Sequence, residues 1–181
     1  MELKKNSVRD LCYIGMFTAI TAVCAQISVP LPGGVPFTLQ TWAISLAGVV
    51  LGPKKGAISA VVYVLLGAVG APVFANFTGG IGVFTRPTGG FILSFPILAL
   101  LAGIGANSKH TAWLVAGLVA GTIVNWFAGM VYFGFILSTN LQAAFAAAVL
   151  PFIPSAVIRI IFVTIIGKSI KIALSKSGVT V

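Results

Sequence analysis

The sequence predicts an all-α integral membrane protein, and three observations support this. Hydrophobic residues make up 59% of the 181 residues and charged residues only 7%, whereas charged residues form about a quarter of a typical soluble chain. The mean hydropathy is +1.12. Apolar runs of helical length alternate with clusters of Gly, Pro and Lys, a pattern of membrane helices rather than of the alternating strands in outer-membrane barrels.

The first apolar run, residues 8–28, is expected to form a membrane helix. Cations precede it, as in a secretion signal, but the run is too long for one and has no Ala-x-Ala-like cleavage site. Its small residues recur at helical spacing, which allows close packing against either the same chain or another membrane protein. These residues are Gly15, Thr18, Ala19, Ala22 and Ala25.

Two shorter helices are predicted next. Three prolines and two glycines within residues 30–36 require a turn at a membrane face. A helix over 38–51 begins with Gln40, Thr41 and Trp42, which suit an interface or a cavity mouth. The sequence GPKKG at 52–56 predicts a tight turn before a third helix over 57–69.

Three further helices complete the predicted domain of residues 1–181. They cover 89–106, 112–137 and a segment that starts between 142 and 155, with a break or bend at Pro151 and Pro154.

Six helices place both termini on one side of the membrane. On this topology nine cations face the side of the termini, which the positive-inside rule assigns to the cytoplasm. They are Lys4, Lys5, Arg9, Lys54, Lys55, Lys109, Lys168, Lys171 and Lys176. The net charge of +9 therefore serves membrane orientation, and nucleic-acid binding is not expected, because no basic stripe with interleaved aromatic residues is present.

Residues 70–91, GAPVFANFTGGIGVFTRPTGGF, are too rich in Gly, Pro, Asn and Thr for a plain membrane helix. We expect an extracellular structured loop that closes over a small-molecule site. This loop contains Arg86, and Arg159 is the other cation outside the cytoplasmic face. Since the two acids, Glu2 and Asp10, lie at the opposite end, the partner of each arginine is water, backbone, lipid phosphate or an anionic ligand. We hypothesise that the two arginines together neutralise a ligand carboxylate.

Polar and aromatic side chains could complete this site, although packing or interfacial anchoring is the commoner role of each aromatic residue taken alone. The candidate substrate-binding residues are Gln40, Trp42, Asn76, Phe77, Arg86, Thr88, Tyr132, Ser155 and Arg159. Further candidates for the cavity wall are Phe74, Thr78, Thr85, Phe91 and Trp126.

Catalysis and ion coupling are not expected. The single histidine, His110, lies in a predicted loop, and no metal-ligand spacing or nucleophile triad occurs. The sequence 162–169 imitates the end of a P-loop but has Phe162 where the first glycine is required. No acid lies within the membrane to couple an ion gradient. We therefore expect a binding protein without metal or cofactor, energised by a partner.

Five segments resemble one family in the same order along the chain: VPFTLQT at 35–41, LGPKKGA at 51–57, VYVLLGAVGAPVF at 62–74, GGIGVFTRPTGGF at 79–91 and LPFIP at 150–154. The chain resembles the BioY family, the biotin-specific substrate-binding (S) components of energy-coupling factor (ECF) transporters. The resemblance implies a multi-pass protein of the bacterial plasma membrane that works with a membrane T subunit and two cytoplasmic ATPases. It also implies docking of the T subunit on helix one, at Gly15, Thr18 and Ala22, where the family tends to show alanines at the last two positions.

The resemblance is incomplete at the predicted site. Where this chain has Arg86, the family commonly has Gly. Where it has Ser155-Ala156, the family commonly has Gly-Asp, with a Lys in the place of Arg159. Loss of the acid makes the site more positive and less able to accept hydrogen bonds from a ureido group. Biotin is the implied ligand, and lipoate or a similar acid is the alternative. A self-sufficient small membrane carrier or channel is the alternative from another class.

Overall fold

The computed structural model describes residues 2–31, 33–108 and 110–176, with side chains from residue 8 onward. The protein is mostly helical (79%), which confirms the all-α part of the predicted fold class. Four helical segments of the described chain are long and apolar enough to cross a membrane, and α4 is a shorter apolar helix. The helices are α1 (Glu2–Gln26), α2 (Gln40–Ala68), α3 (Gly89–Leu93), α4 (Phe95–Ala106), α5 (Thr111–Ile136), α6 (Leu141–Ala148) and α7 (Ile153–Lys176).

Helix α2 is a hairpin rather than a straight rod. Gly52 has φ 80° and ψ 176°, values outside the helical region, and Pro53 follows it. Gly48 and Gly56 then meet across the turn, because a Cβ on Gly56 would lie 2.6 Å from Gly48 Cα. Two helical halves therefore meet at Gly52, as predicted, but the predicted turn over 52–56 is limited to that residue because residues 53–56 are already helical. The contact with Gly48 explains the glycine at position 56, and a Cβ on Gly48 would lie 2.2 Å from the Ala99 carbonyl oxygen of α4.

A small ribbon corrects the purely helical prediction. Strands β1 (Ser28–Val29) and β2 (Phe37–Thr38) pair antiparallel on either side of the Pro/Gly-rich turn. Each strand has two residues, too few for an alternating pattern that sequence analysis could detect.

The ends of several helices also differ from the predictions. Helix α1 begins at Glu2 rather than at residue 8. The predicted helix over 89–106 is divided at Ser94 into α3 and α4, just before Pro96. The predicted break near Pro151 is a 3₁₀ turn, Leu150–Phe152, between α6 and α7, whereas Pro154 lies in the first turn of α7, where proline is tolerated.

The two halves of α2 pack against α1 and α4, α4 also packs against α5, and α7 packs against α2 and α5. Cations gather at one end of this bundle. Lys55 forms a 2.8 Å ion pair with Asp10, and Lys171 Nζ donates to the Ala106 carbonyl at 2.8 Å. Lys109 and the side chains of Lys4 and Lys5 lie outside the described residues.

Candidate functional site

A cavity of about 410 Å³ lies at the end of the bundle opposite these cations. Its walls come from the ribbon segment, the start of α2, the loop 70–88, α3, α5 and the start of α7. The volume falls within the range of small-molecule sites, which are usually apolar with a few polar groups. Helix breaks at several of these places leave room for the cavity.

The loop 70–88 is fixed by side chains from three helices. Tyr63 of α2 donates to the Val73 carbonyl at 2.8 Å. Gln26 of α1 donates to the Phe74 carbonyl at 3.2 Å and accepts a bond from the Phe77 backbone N–H at 2.8 Å. Tyr132 of α5 donates to the Phe84 carbonyl. These bonds, together with the burial of Phe74 edge-on against Tyr63, make the loop a fixed part of the cavity wall.

Gln40 connects this loop network to the ribbon. Its side chain is buried, its Nε2 donates to the Tyr63 hydroxyl, and its Oε1 accepts a bond from Thr38 at 3.1 Å. Gln40 also lines the cavity, and its amide positions strand β2 of the ribbon relative to the loop.

Arg159 is the buried cation of the site. Its side chain is 5% exposed and lines the cavity. Nη2 donates to Thr122 Oγ1 at 2.6 Å, whereas Nε has no hydrogen-bond partner among the described residues. A guanidinium has five N–H donors, so most of its donor capacity is not used by this bond. The two acids of the chain, Glu2 and Asp10, are not among the described residues that line the cavity.

Arg86 lines the same cavity but is exposed. It lies in the loop just before α3, whereas Arg159 lies on the second turn of α7. The two guanidinium groups therefore occupy different environments, one accessible to water and one nearly sealed from it. This arrangement is suited to an anionic ligand with an apolar body.

The structure brings seven of the nine predicted substrate-binding residues to the cavity: Gln40, Trp42, Asn76, Arg86, Thr88, Ser155 and Arg159. The other two, Phe77 and Tyr132, are not among its lining residues. Phe77 is 72% exposed. Tyr132 supports the loop through its bond to Phe84. Of the further candidates for the wall, Thr85 is also absent from the lining.

The structure places the three predicted docking residues in different environments. Gly15 is exposed. Thr18 is 4% exposed, because its hydroxyl bonds to the Ile14 carbonyl at 2.8 Å and contacts Ser59 of α2. Ala22 packs against the buried cluster around Tyr63. Of the other small residues, Ala19 is exposed beside Gly15 on the outer surface of α1.

Sequence reasoning missed two polar residues of α5. Thr122 receives the bond from Arg159, and Asn125 lines the cavity while donating to the Phe91 carbonyl at 3.0 Å and to Ser94 Oγ at 2.7 Å. Both are buried. Their spacing of three residues on an otherwise apolar helix places them on one face, and this was the available signal.

Known proteins resemble the chain over most of its length. The family model described as "BioY family" matches residues 1–176. A protein of Pyrococcus horikoshii, named "Probable biotin transporter BioY", is 39% identical over 163 residues, which cover 90% of this chain and 96% of the relative. The "Biotin transporter BioY" of Thermotoga maritima is 39% identical over 165 residues, covering 91% and 96%.

A solved structure resembles the fold as well. It is a crystal structure of the S-component for biotin from an ECF-type ABC transporter, with a TM-score of 0.84, 26% identity, and coverage of 92% of this chain and 93% of that one. The family match and these likenesses agree with the resemblance drawn from the five sequence segments. The chain therefore belongs to the BioY family.

Proposed function

We propose that the chain is the substrate-binding S component of an ECF-type uptake transporter and that its cavity captures biotin from outside the cell. The observation that carries this proposal is a largely apolar cavity lined by Arg86 and Arg159 with no acid among its described lining residues. Biotin combines a carboxylate with an apolar chain and ring, so it matches this lining. The names of the relatives, which are biotin transporters, support the same ligand.

The ligand is held between aromatic walls and polar ends. Trp42, Phe91 and Trp126 line the cavity and provide flat apolar surface, which contributes much of the binding free energy in such sites. The arginines donate hydrogen bonds, and Gln40 and Asn76 add neutral polar groups. All nine candidates from the sequence remain in the proposal. Phe77 and Tyr132 do not line the cavity but contribute to binding by holding the loop in place.

The proposed topology has six membrane segments with both termini in the cytoplasm. The segments are α1, the two halves of α2, α3 with α4, α5, and α6 with α7. The cations Lys55, Lys168 and Lys171 occur at the end of the bundle away from the cavity, which supports a cytoplasmic position for that end. The cavity then opens to the outside of the cell membrane.

The proposed partners are a membrane T subunit and two cytoplasmic ATPase subunits. The structural neighbour is itself described as part of an ECF-type ABC transporter. The T subunit docks on the outer surface of α1 around Gly15. Thr18 and Ala22 lie on the inner side of α1, where they pack this helix against the rest of the chain. In this arrangement the chain binds the vitamin and the partners supply the energy.

Reconstitution tests this assignment. Vesicles that contain the chain alone should bind biotin but should not accumulate it, whereas vesicles that also contain the T and ATPase subunits should accumulate it when ATP is supplied. Sustained uphill uptake by the chain alone would eliminate the S-component assignment in favour of an autonomous carrier. Mass spectrometry of the molecule that copurifies with the protein should identify biotin, and lipoate in its place would transfer the assignment to that acid.

A further inference from the structure

Helices α5 and α7 run antiparallel beside the cavity. Lys168 donates to Thr111 and Arg159 donates to Thr122. Residues of decreasing number on α7 therefore lie beside residues of increasing number on α5. Three residues further in the same directions, the next pair is Ala156 and Asn125. Both residues are buried and line the cavity, so the Asn125 side chain lies at the level of Ala156 on the neighbouring helix.

The hydrogen bonds of Asn125 determine which way its amide points. Nδ2 donates to the Phe91 carbonyl at 3.0 Å and to Ser94 Oγ at 2.7 Å. Because a backbone carbonyl can only accept, the NH₂ group must face Phe91. The amide oxygen Oδ1 is thereby directed away from Phe91, and it accepts no hydrogen bond from the described residues. The buried side-chain atoms that lack a partner do not include Oδ1, so this oxygen retains accessible surface. Asn125 itself lines the cavity.

The buried end of the cavity therefore combines one acceptor with one donor group. Asn125 supplies an unpaired oxygen, and Arg159 supplies a guanidinium whose Nε has no partner. A carboxylate would satisfy the arginine but not the amide oxygen, since carboxylate oxygens are acceptors only. A neutral group that carries both C=O and N–H satisfies both. Unpaired polar groups at a buried site cost free energy, so the combination favours the second kind of ligand group.

We propose that Asn125 is a specificity-determining residue: its Oδ1 accepts a hydrogen bond from one N–H group of the ureido ring, while Arg159 donates to the ureido carbonyl. This inference rests on the proposed binding of biotin. Asn125 then provides the acceptor that Ala156 lacks. The exposed Arg86 binds the carboxylate at the opposite end of the ligand. The two arginines thus serve different ends of one molecule instead of sharing its carboxylate.

Binding of biotin to purified full-length variants, measured by calorimetry, tests this assignment. Asn125→Ala should weaken binding by about 10- to 100-fold, the range for losing a buried hydrogen bond. Adding Ala156→Asp to that variant should restore at least about tenfold, because the carboxylate supplies an acceptor from the facing helix. A purely structural role of Asn125 would not be rescued in this way. Ser94→Ala removes one partner of Nδ2 and the Ser94 bond to the Phe91 carbonyl, but it leaves that carbonyl to orient the Asn125 amide. It is the control and should change affinity by less than about threefold.

Asn125→Asp separates the acceptor from the donor, because it keeps an oxygen and loses the NH₂ group. It should bind biotin within about threefold of the unmodified chain or more tightly, and it decides the question if Asn125→Ala does not fold. A more than tenfold loss in Asn125→Asp, about 1.4 kcal/mol, would overturn the inference. So would unchanged binding by Asn125→Ala, or a loss that Ala156→Asp does not relieve. In those cases binding by the unmodified chain would still support the proposed function, whereas its failure to bind biotin would overturn both.

Discussion

Arg159 Nη2 donates a hydrogen bond to Thr122 Oγ1 at 2.6 Å and so joins α7 to α5 in the cavity wall. The Thr122 hydroxyl in turn donates to the Leu118 carbonyl at 2.7 Å, which fixes the direction in which it can accept. The arginine is 5% exposed, and no acid is its partner in the described part of the chain. A buried cation without a counter-charge destabilises a fold, so we infer that this position is maintained for ligand binding.

Replacing Arg159 by Met should therefore have opposite effects on binding and on stability. Biotin affinity should fall by about 100-fold, since hydrogen bonds from a charged group contribute about 1.5–3 kcal/mol. The melting temperature without ligand should stay the same or rise, because methionine needs no charge compensation. Calorimetry and thermal unfolding in detergent measure the two quantities. Unchanged affinity together with a lower melting temperature would show that Arg159 has a structural role instead.

Removing the Tyr132 hydroxyl should loosen the loop without altering the cavity lining. Tyr132→Phe loses the bond to the Phe84 carbonyl, worth about 1 kcal/mol. Hydrogen exchange should accelerate at residues 78–88, and biotin should dissociate about fivefold faster.

Tyr13→Phe is the matched control for Tyr132→Phe, because Tyr13 lies on α1 away from the cavity lining. It should change neither measurement. Equal exchange and equal dissociation rates in the two variants would contradict the role given to Tyr132.

A bulky side chain at Gly15 should interfere with partner docking but not with biotin binding. Gly15 is exposed, and no atom of the described chain lies within 4 Å of a Cβ added there, so a side chain at this position starts in open space. ATP-dependent uptake by the reconstituted complex should fall by at least about fivefold, because small residues allow membrane helices to approach closely. Calorimetry should give an unchanged affinity.

Ala120→Phe is the corresponding control on α5, where Ala120 is also exposed. It should leave uptake near the unmodified level. Full uptake by Gly15→Phe would remove the outer surface of α1 from the proposed docking site.

Much of the fold was predictable because composition controls it. Long apolar runs require helices in a membrane, and Gly52-Pro53 cannot continue one. The two-residue strands of the ribbon were not predictable, since they have no usable period. The inward direction of Thr18 was also missed, because small residues at helical spacing do not reveal whether their partner is the same chain or another protein.

The site was predictable where charge made it conspicuous. Arg159 stands out in an apolar run, and the structure places it in the cavity wall. Asn125 is a neutral residue of an apolar helix, and only its bonds to Phe91 and Ser94 distinguish it from a packing residue. Whether Phe77 and Tyr132 reach the cavity depends on the path of the loop, which composition does not define.

Titration of the purified chain with biotin and with biotin methyl ester tests the central claim most directly. If the cavity captures biotin through its carboxylate at Arg86, the acid should bind saturably, and the ester should bind at least about tenfold more weakly because it lacks the charge. Absence of saturable biotin binding would contradict the account as a whole. Equal binding of the ester would contradict the pairing between the carboxylate and Arg86.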